Sequence, residues 1–341
     1  MPLHSLFQDV TVYFNDDRVY GGDQTNPYHA MLTTMLSYSE TELKKQLMST
    51  GFYKDAAGSM EAATNTGYVE RKKWNTGRVY IGKLFADIFQ LKQYLLNGVT
   101  VKVKLQHSPN EFGIMCHTAA AKPKFIINNA YLSVRHVTIA PAITLAHNKA
   151  LANGYLANYA YDQKIITTYN IAKGNKNWIK ENLFRGMIPK MLVIGMVSTD
   201  AYVGAYAKNP FNFQHFNTSL VSLKKDGEHI PFQPFEPHFE TATSMQYMRE
   251  YLSIHESLGG KKDLIFSQDE YPNGYCLFMF KLTPDMSMIT STAQSMETPN
   301  LRLELKFGTT GLTGDITLLL MAYFQGELTI DYMRRCYVND I

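Results

Sequence analysis

The sequence predicts an all-β protein of two tandem Greek-key or jelly-roll sandwiches, with short helices in the loops. Three observations carry this. Runs of alternating apolar and polar residues recur along the chain, as strands with one buried face require. The same order of elements occurs twice: the alternating strand that starts at Val99 returns at Leu301, an offset of 202 residues, the size of a duplicated domain. Helical stretches are too few for a parallel sheet, which needs a crossover helix between nearly every pair of strands.

In chain order, Val10, Val12 and Phe14 alternate with Thr11 and Tyr13 and run into the polar turn Asn15-Asp16-Asp17, a strand entering a hairpin. Asn26-Pro27 opens a helix with a stripe at Met31, Leu32, Met35 and Leu36, and Ser39 with Glu42 forms a capping box for a second one. A polar loop spans 56 to 77, and Ile81, Leu84, Phe85, Ile88 and Phe89 mark another buried element. Val99, Val101, Val103 and Leu105 alternate with Thr100, Lys102 and Lys104, giving a strand with a wet outer face. Residues 125 to 139, with Ile127, Val134, Val137 and Ile139, read as one more β run. Pro141 opens a short helix through His147 and Leu151 that Gly154 terminates. The expected division is a first sandwich over 1–141, a linker helix over 142–154 and a second sandwich over 155–341.

The second half repeats the order. Val221 and Leu223 lead into Asp226-Gly227, the favoured pair for a tight hairpin, and Ile230 resumes the pattern. Pro231, Pro234 and Pro237 then keep the chain extended and remove backbone donors. A helix with Tyr247, Met248, Tyr251 and Leu252 follows, then Tyr275 to Phe280, the alternating Leu301 to Phe307, and Ile316 to Phe324.

Composition bounds the function. With 22 Tyr and 19 Phe against two Trp, the interior is rich in large flat side chains. A net charge of +3 over 341 residues, with scattered basic doublets such as Lys261-Lys262, gives no stripe for nucleic acid. Three cysteines at wide spacing argue against a disulfide framework or a structural zinc, and the apolar runs at 191–197 and 316–324 are too short to span a bilayer. No phosphate loop or nucleophile elbow is present. Cys116-His117 is the one tempting pair, but neighbours on a strand point to opposite faces. His215, His229 and His238 match no common metal spacing, and Asp263, Asp269 and Glu270 read as a solvated loop. The sequence therefore predicts no enzyme, cofactor or metal.

The segments HSLFQDVTVYFNDDRV, FYKDAAGSM, YLLNGVTVKVKL, NPFNFQHFN, KKDGEHIPFQPFEPHF, NGYCLFMFKLTPD and NLRLELKF together resemble the double jelly-roll major capsid proteins of polinton or Maverick elements and related DNA viruses. The NPFNF block with its hairpin and proline arm is the most specific part. This resemblance implies homotrimers that form pseudo-hexagonal capsomers of an icosahedral shell, contacts to neighbouring capsomers and a penton or minor capsid protein, and residence in the virion. It implies no sequence-specific nucleic-acid binding and no membrane insertion. Expressed outside an active element, the chain is expected inside the cell, where a domesticated jelly-roll protein binding glycans or proteins is the alternative reading. Family members carry a strand before the position matching His4, so either Met1 is an internal methionine of a longer chain or the first barrel lacks its N-terminal strand. Phe232, Phe235 and Phe239 on the proline arm are the candidate subunit contacts.

Overall fold

The computed structural model describes residues 1–74, 77–118, 121–184, 186–239, 246–260, 263–283 and 300–338. Its strands are β1 (Phe7–Phe14), β2 (Asp17–Tyr20), β3 (Val101–His107), β4 (Ala157–Ile171), β5 (Asn177–Lys180), β6 (Met191–Ser198), β7 (Phe213–Gln214), β8 (Thr218–Lys225), β9 (Glu228–Phe235), β10 (Asn273–Gly274), β11 (Leu277–Lys281), β12 (Leu301–Phe307), β13 (Ile316–Ile330) and β14 (Cys336–Val338). The helices are short: α1 (Pro2–Ser5), α2 (Asn26–Ser37), α3 (Glu40–Lys45), α4 (Thr66–Lys72), α5 (Asn110–Gly113), α6 (Pro141–Ala152), α7 (Thr199–Val203) and α8 (Met248–Ser257). All strand pairs are antiparallel.

The second half is a jelly roll. One sheet runs β4-β13-β6-β11 and the facing sheet runs β5-β12-β8-β9. Setting aside β14 and the short ribbon of β7 and β10, the first, eighth, third and sixth strands form one layer, and the second, seventh, fourth and fifth form the other. That is the two-Greek-key order of an eight-stranded jelly roll. Leu301, Leu303, Leu305 and Phe307 of β12 are buried against Leu318, Leu320, Phe280 and Phe324 in a single core.

The first half repeats one of these layers. Its sheet order, β2-β1-β3, is that of β9-β8-β12, and the duplication extends to detail. Val12 faces Val103 and Val10 faces Leu105, as Leu223 faces Leu303 and Val221 faces Leu305. Both pairings slip at the same point, between Phe7 and Asp9 in one copy and between Lys306 and Phe307 in the other. At the tip of the first hairpin Asn15 N donates to Thr100 O at 2.8 Å, while Asn15 Oδ1 accepts from Thr100 N at 2.9 Å. In the second, Asp226 N donates to Asn300 O at 3.0 Å and Asp226 Oδ1 accepts from Asn300 N at 2.9 Å. Both turn residues sit at positive φ, 55° and 50°, which Asn and Asp tolerate better than most side chains. Asn15 also donates from Nδ2 to Arg334 O at 2.7 Å. We therefore expect Asn15→Ala to lower stability by about 2 kcal/mol and Asp226→Ala by about 1 kcal/mol. Urea unfolding that reversed this order would contradict the assignment of the extra bond.

The long strands join the halves. β13 pairs with β6 over its first eight residues and with β14 at its far end, with β4 alongside throughout. The far ends place Tyr159, Tyr161, Leu328, Ile330 and Cys336 against Val10, Val12, Phe14 and Val19 of the first sheet.

Four expectations are corrected here. Residues 125–139 form no strand, and Ile126, Tyr131, Leu132 and Val134 are 52 to 81% exposed. Their counterpart β13 is a strand because β4 and β6 hold both its edges; no strand takes those places beside 125–139 among the described residues. β3 is largely exposed: Val101 and Leu105 of its apolar side are 39% and 40% exposed, and Val103 is half-buried against the core that Val10 and Val12 share with β4 and β13. In the predicted buried element near residue 85, Phe85 and Ile88 are buried, whereas Ile81 and Phe89 are exposed. The helix over 26–37, read as striped, is buried nearly all round because it lies between the halves. Its Tyr28 packs on Tyr202 and Phe211, and His29 faces Asp87.

Candidate interaction surface

Among the described residues, the side chains singled out for chemistry lie apart from one another. Cys116 Sγ lies 3.9 Å from Thr118 O, and the His117 ring meets Tyr68 edge-on at 5.2 Å. The segment carrying Cys116 and His117 is not a strand. The three histidines have separate surroundings: His215 stacks on Phe239 at 4.1 Å, His229 Nδ1 lies 3.0 Å from Ser222 Oγ, and His238 is exposed. Glu270 pairs with Lys54 at 2.6 Å and accepts Ser267 N at 2.8 Å, which ties the acidic loop to the first half. Among the described residues no three His, Cys, Asp or Glu side chains converge as metal ligands. Lys261 and Lys262 lie outside the described residues.

The NPFNF block is a seam within the chain. Asn209 Oδ1 accepts Phe211 N at 3.0 Å, and its Nδ2 donates to Asp55 Oδ2 at 3.0 Å. Asp55 is held in turn by Arg71 at 2.7 Å, and its carbonyl accepts Tyr275 Oη at 2.7 Å. Phe211 packs on Tyr28 and Phe112 of the first half, while Phe213 is fully buried in the second. A second seam, missed in the sequence, is the buried cluster of His29, Asp87 and Lys164. Lys164 Nζ donates to Asp87 Oδ1 at 2.7 Å, Lys164 N donates to Oδ2 at 2.8 Å, and His29 Nε2 lies 3.3 Å from the carboxylate. Burial by itself would raise the Asp87 carboxyl, but His29 and Lys164 hold it below its ordinary value. The available signal was a lone carboxylate inside the apolar run Phe85-Ala86-Asp87-Ile88-Phe89.

The three arm phenylalanines separate. Phe232 is 90% exposed, Phe235 is buried against Phe280 at 5.0 Å with the Arg249 guanidinium over its ring, and Phe239 is half-buried between His215 and Tyr247. A wider apolar surface belongs to the first half and the linker helix: Val79, Ile81, Tyr94, Ile126, Tyr131 and Leu145 are each at least 65% exposed. No helix among the described residues is long and apolar enough to cross a membrane.

No protein-family model matches the chain. A Caenorhabditis elegans protein described as uncharacterized is 23% identical over 346 aligned positions, covering 99% of this chain and 80% of that protein. Among solved structures, the Sputnik virophage determined by cryo-EM is similar with a TM-score of 0.49 at 11% identity, over 99% of this chain and 75% of that one. The mavirus major capsid protein is similar with a TM-score of 0.45 at 10% identity, over 99% and 78%. The capsid of the virus PBCV-1 is similar with a TM-score of 0.42 at 10% identity, over 100% and 84%.

Proposed function

We propose that the chain is a structural capsid subunit without enzymatic activity. Three copies, each contributing a unit over 1–141 and a unit over 155–341 joined by the linker 142–154, form a pseudo-hexagonal capsomer of an icosahedral shell. The observation that carries this reading is the duplicated sheet, with the same order, the same slip and the same turn lock in both halves. Two similar units in one chain let three identical chains approximate six-fold packing. The sequence resemblance to polinton or Maverick capsid proteins supports an origin in a virus or an integrated mobile element, and a relative in a nematode supports residence in animal genomes. Such obligate interfaces bury roughly 2,000 to 5,000 Å² with aromatic anchors, which the exposed apolar surface of the first half and Phe232 can supply. Neighbouring capsomers and a penton protein are its further partners, and the virion is its place.

Negative-stain microscopy of the purified chain, with light scattering, tests this. Trimeric particles of hexagonal outline are expected; a monodisperse monomer at high concentration overturns the proposal. Phe232→Asp is expected to weaken the trimer and leave the far-ultraviolet circular dichroism spectrum unchanged, because the ring makes little contact within its own chain. An unaltered trimer would remove Phe232 from the interface.

A further inference from the structure

The second unit's sheet β5-β12-β8-β9 has two outer strands. One of them is closed. Pro231 and Pro234 of β9 lack the N–H, and the Arg249 guanidinium donates to Gln233 O and Pro234 O at 2.6 and 3.0 Å. The other, β5, holds no proline and is flanked by β12 alone. Phe307 N donates to Lys176 O at 2.9 Å, so the alternation of an antiparallel ladder turns the backbone groups of Trp178 and Lys180 toward β12. Those of Asn177 and Ile179 turn outward, where they meet no partner among the described residues. An open row of this kind is a template for another strand.

The side chains on this edge fit a second copy of the same strand. In an antiparallel pairing of β5 with itself about Ile179, Ile179 faces Ile179, Asn177 faces Glu181 and Trp178 faces Lys180. No like charges stand opposite. Ile179 is 46% exposed, and the pairing covers it with its own copy. Trp178 packs on Tyr169 at 5.3 Å and Lys180 Nζ lies 5.5 Å from the centre of the same ring, so each ammonium meets the aromatic pair of the other copy. The Asn177 amide can donate to the Glu181 carboxylate, which Arg302 holds at 3.1 Å. The neighbouring registers are disfavoured. Centred on Trp178 the pairing sets Lys176 against Lys180, and centred on Lys180 it sets that lysine against itself; like charges directly opposite destabilise a ladder.

We propose that β5 is a self-recognition edge: two copies of the chain join across a two-fold axis by antiparallel pairing about Ile179, so that their two four-stranded sheets become one. This inference rests on the second unit and not on the capsid reading. Within that reading the contact ties one capsomer to the next, because a two-fold contact joins copies in pairs and closes no ring of three.

Sedimentation velocity of the whole protein over a concentration series, together with hydrogen exchange, tests this. The parent is expected to form pairs, of monomers or of trimers, and the Ile179 amide to exchange more slowly as concentration rises. Ile179→Pro is expected to abolish pairing. The N–H that it removes points to solvent, so the bonds to β12 remain and circular dichroism should report an intact fold. Asn177→Lys sets a cation opposite each Glu181 and is expected to tighten the pairing about fivefold, whereas Asn177→Glu is expected to weaken it about fivefold. A parent that forms no pairs, an Ile179→Pro protein that still forms them, or Asn177 variants that act alike would each overturn the proposal. Hexagonal trimers that never pair would overturn this proposal alone, and pairs without hexagonal trimers would overturn the capsid reading alone.

Discussion

Asp87→Ala is expected to destabilise the protein by about 3 to 5 kcal/mol, the cost of leaving a buried cation without its partner. Lys164 is 8% exposed, and its ammonium and its backbone N–H both donate to the Asp87 carboxylate. Removing that carboxylate strands both donors, along with the imidazole of His29. The effect falls on the joint between the halves, because Asp87 sits in a turn of the first half and Lys164 in β4 of the second. The double variant Asp87→Asn with Lys164→Met separates charge from packing. It removes the ammonium and keeps an oxygen for Lys164 N, so most of the lost stability should return. Urea unfolding measures both. A single variant within about 1 kcal/mol of the parent would mean that water reaches Lys164 and the pair contributes little.

What was legible in the sequence was local. Asp226-Gly227 and Asn15 announce their hairpins because positive φ leaves few residue choices, and β12 announces itself because its buried and wet faces alternate without exception. The repeat was visible for the same reason. Residues 125–139 have strand composition too, but a strand exists only where another strand accepts its hydrogen bonds, and that depends on residues far away in sequence. β3 shows the same limit: its alternation is as clean as that of β12, yet Val101 and Leu105 of its apolar face are exposed and Val103 is half-buried. Among the phenylalanines, a register shift in β9 sets Phe235, and not Phe232, opposite Val221, so that Phe235 is buried and Phe232 exposed. The His29, Asp87 and Lys164 cluster joins three distant segments, and only the unusual setting of Asp87 hinted at it.

Mild acid should weaken the fold through two buried histidines. His4 is buried edge-on to Phe85 at 4.8 Å, its Nε2 has no partner, and burial, with His29 nearby, pushes its pKa down to about 3. Burial under Phe239 lowers that of His215 to about 4. An unfolded histidine takes up its proton near pH 6.5. Below that pH the unfolded chain therefore binds protons that the folded chain refuses, and stability falls as pH falls. Each such group contributes up to about 1.4 kcal/mol per pH unit. Between pH 7.5 and 5 this amounts to about 2 kcal/mol for His4 and about half that for the partly exposed His215. Asp87 acts in a different window. Its folded pKa is depressed, so its contribution persists at pH 5 and is lost only as pH falls further, through that lowered value. The urea midpoint should therefore drop between pH 7.5 and 5, and His4→Leu should remove the larger share of the drop and raise stability at pH 5. A parent protein with the same midpoint at both values would show that His4 charges without unfolding the chain, and so that its pocket opens to water.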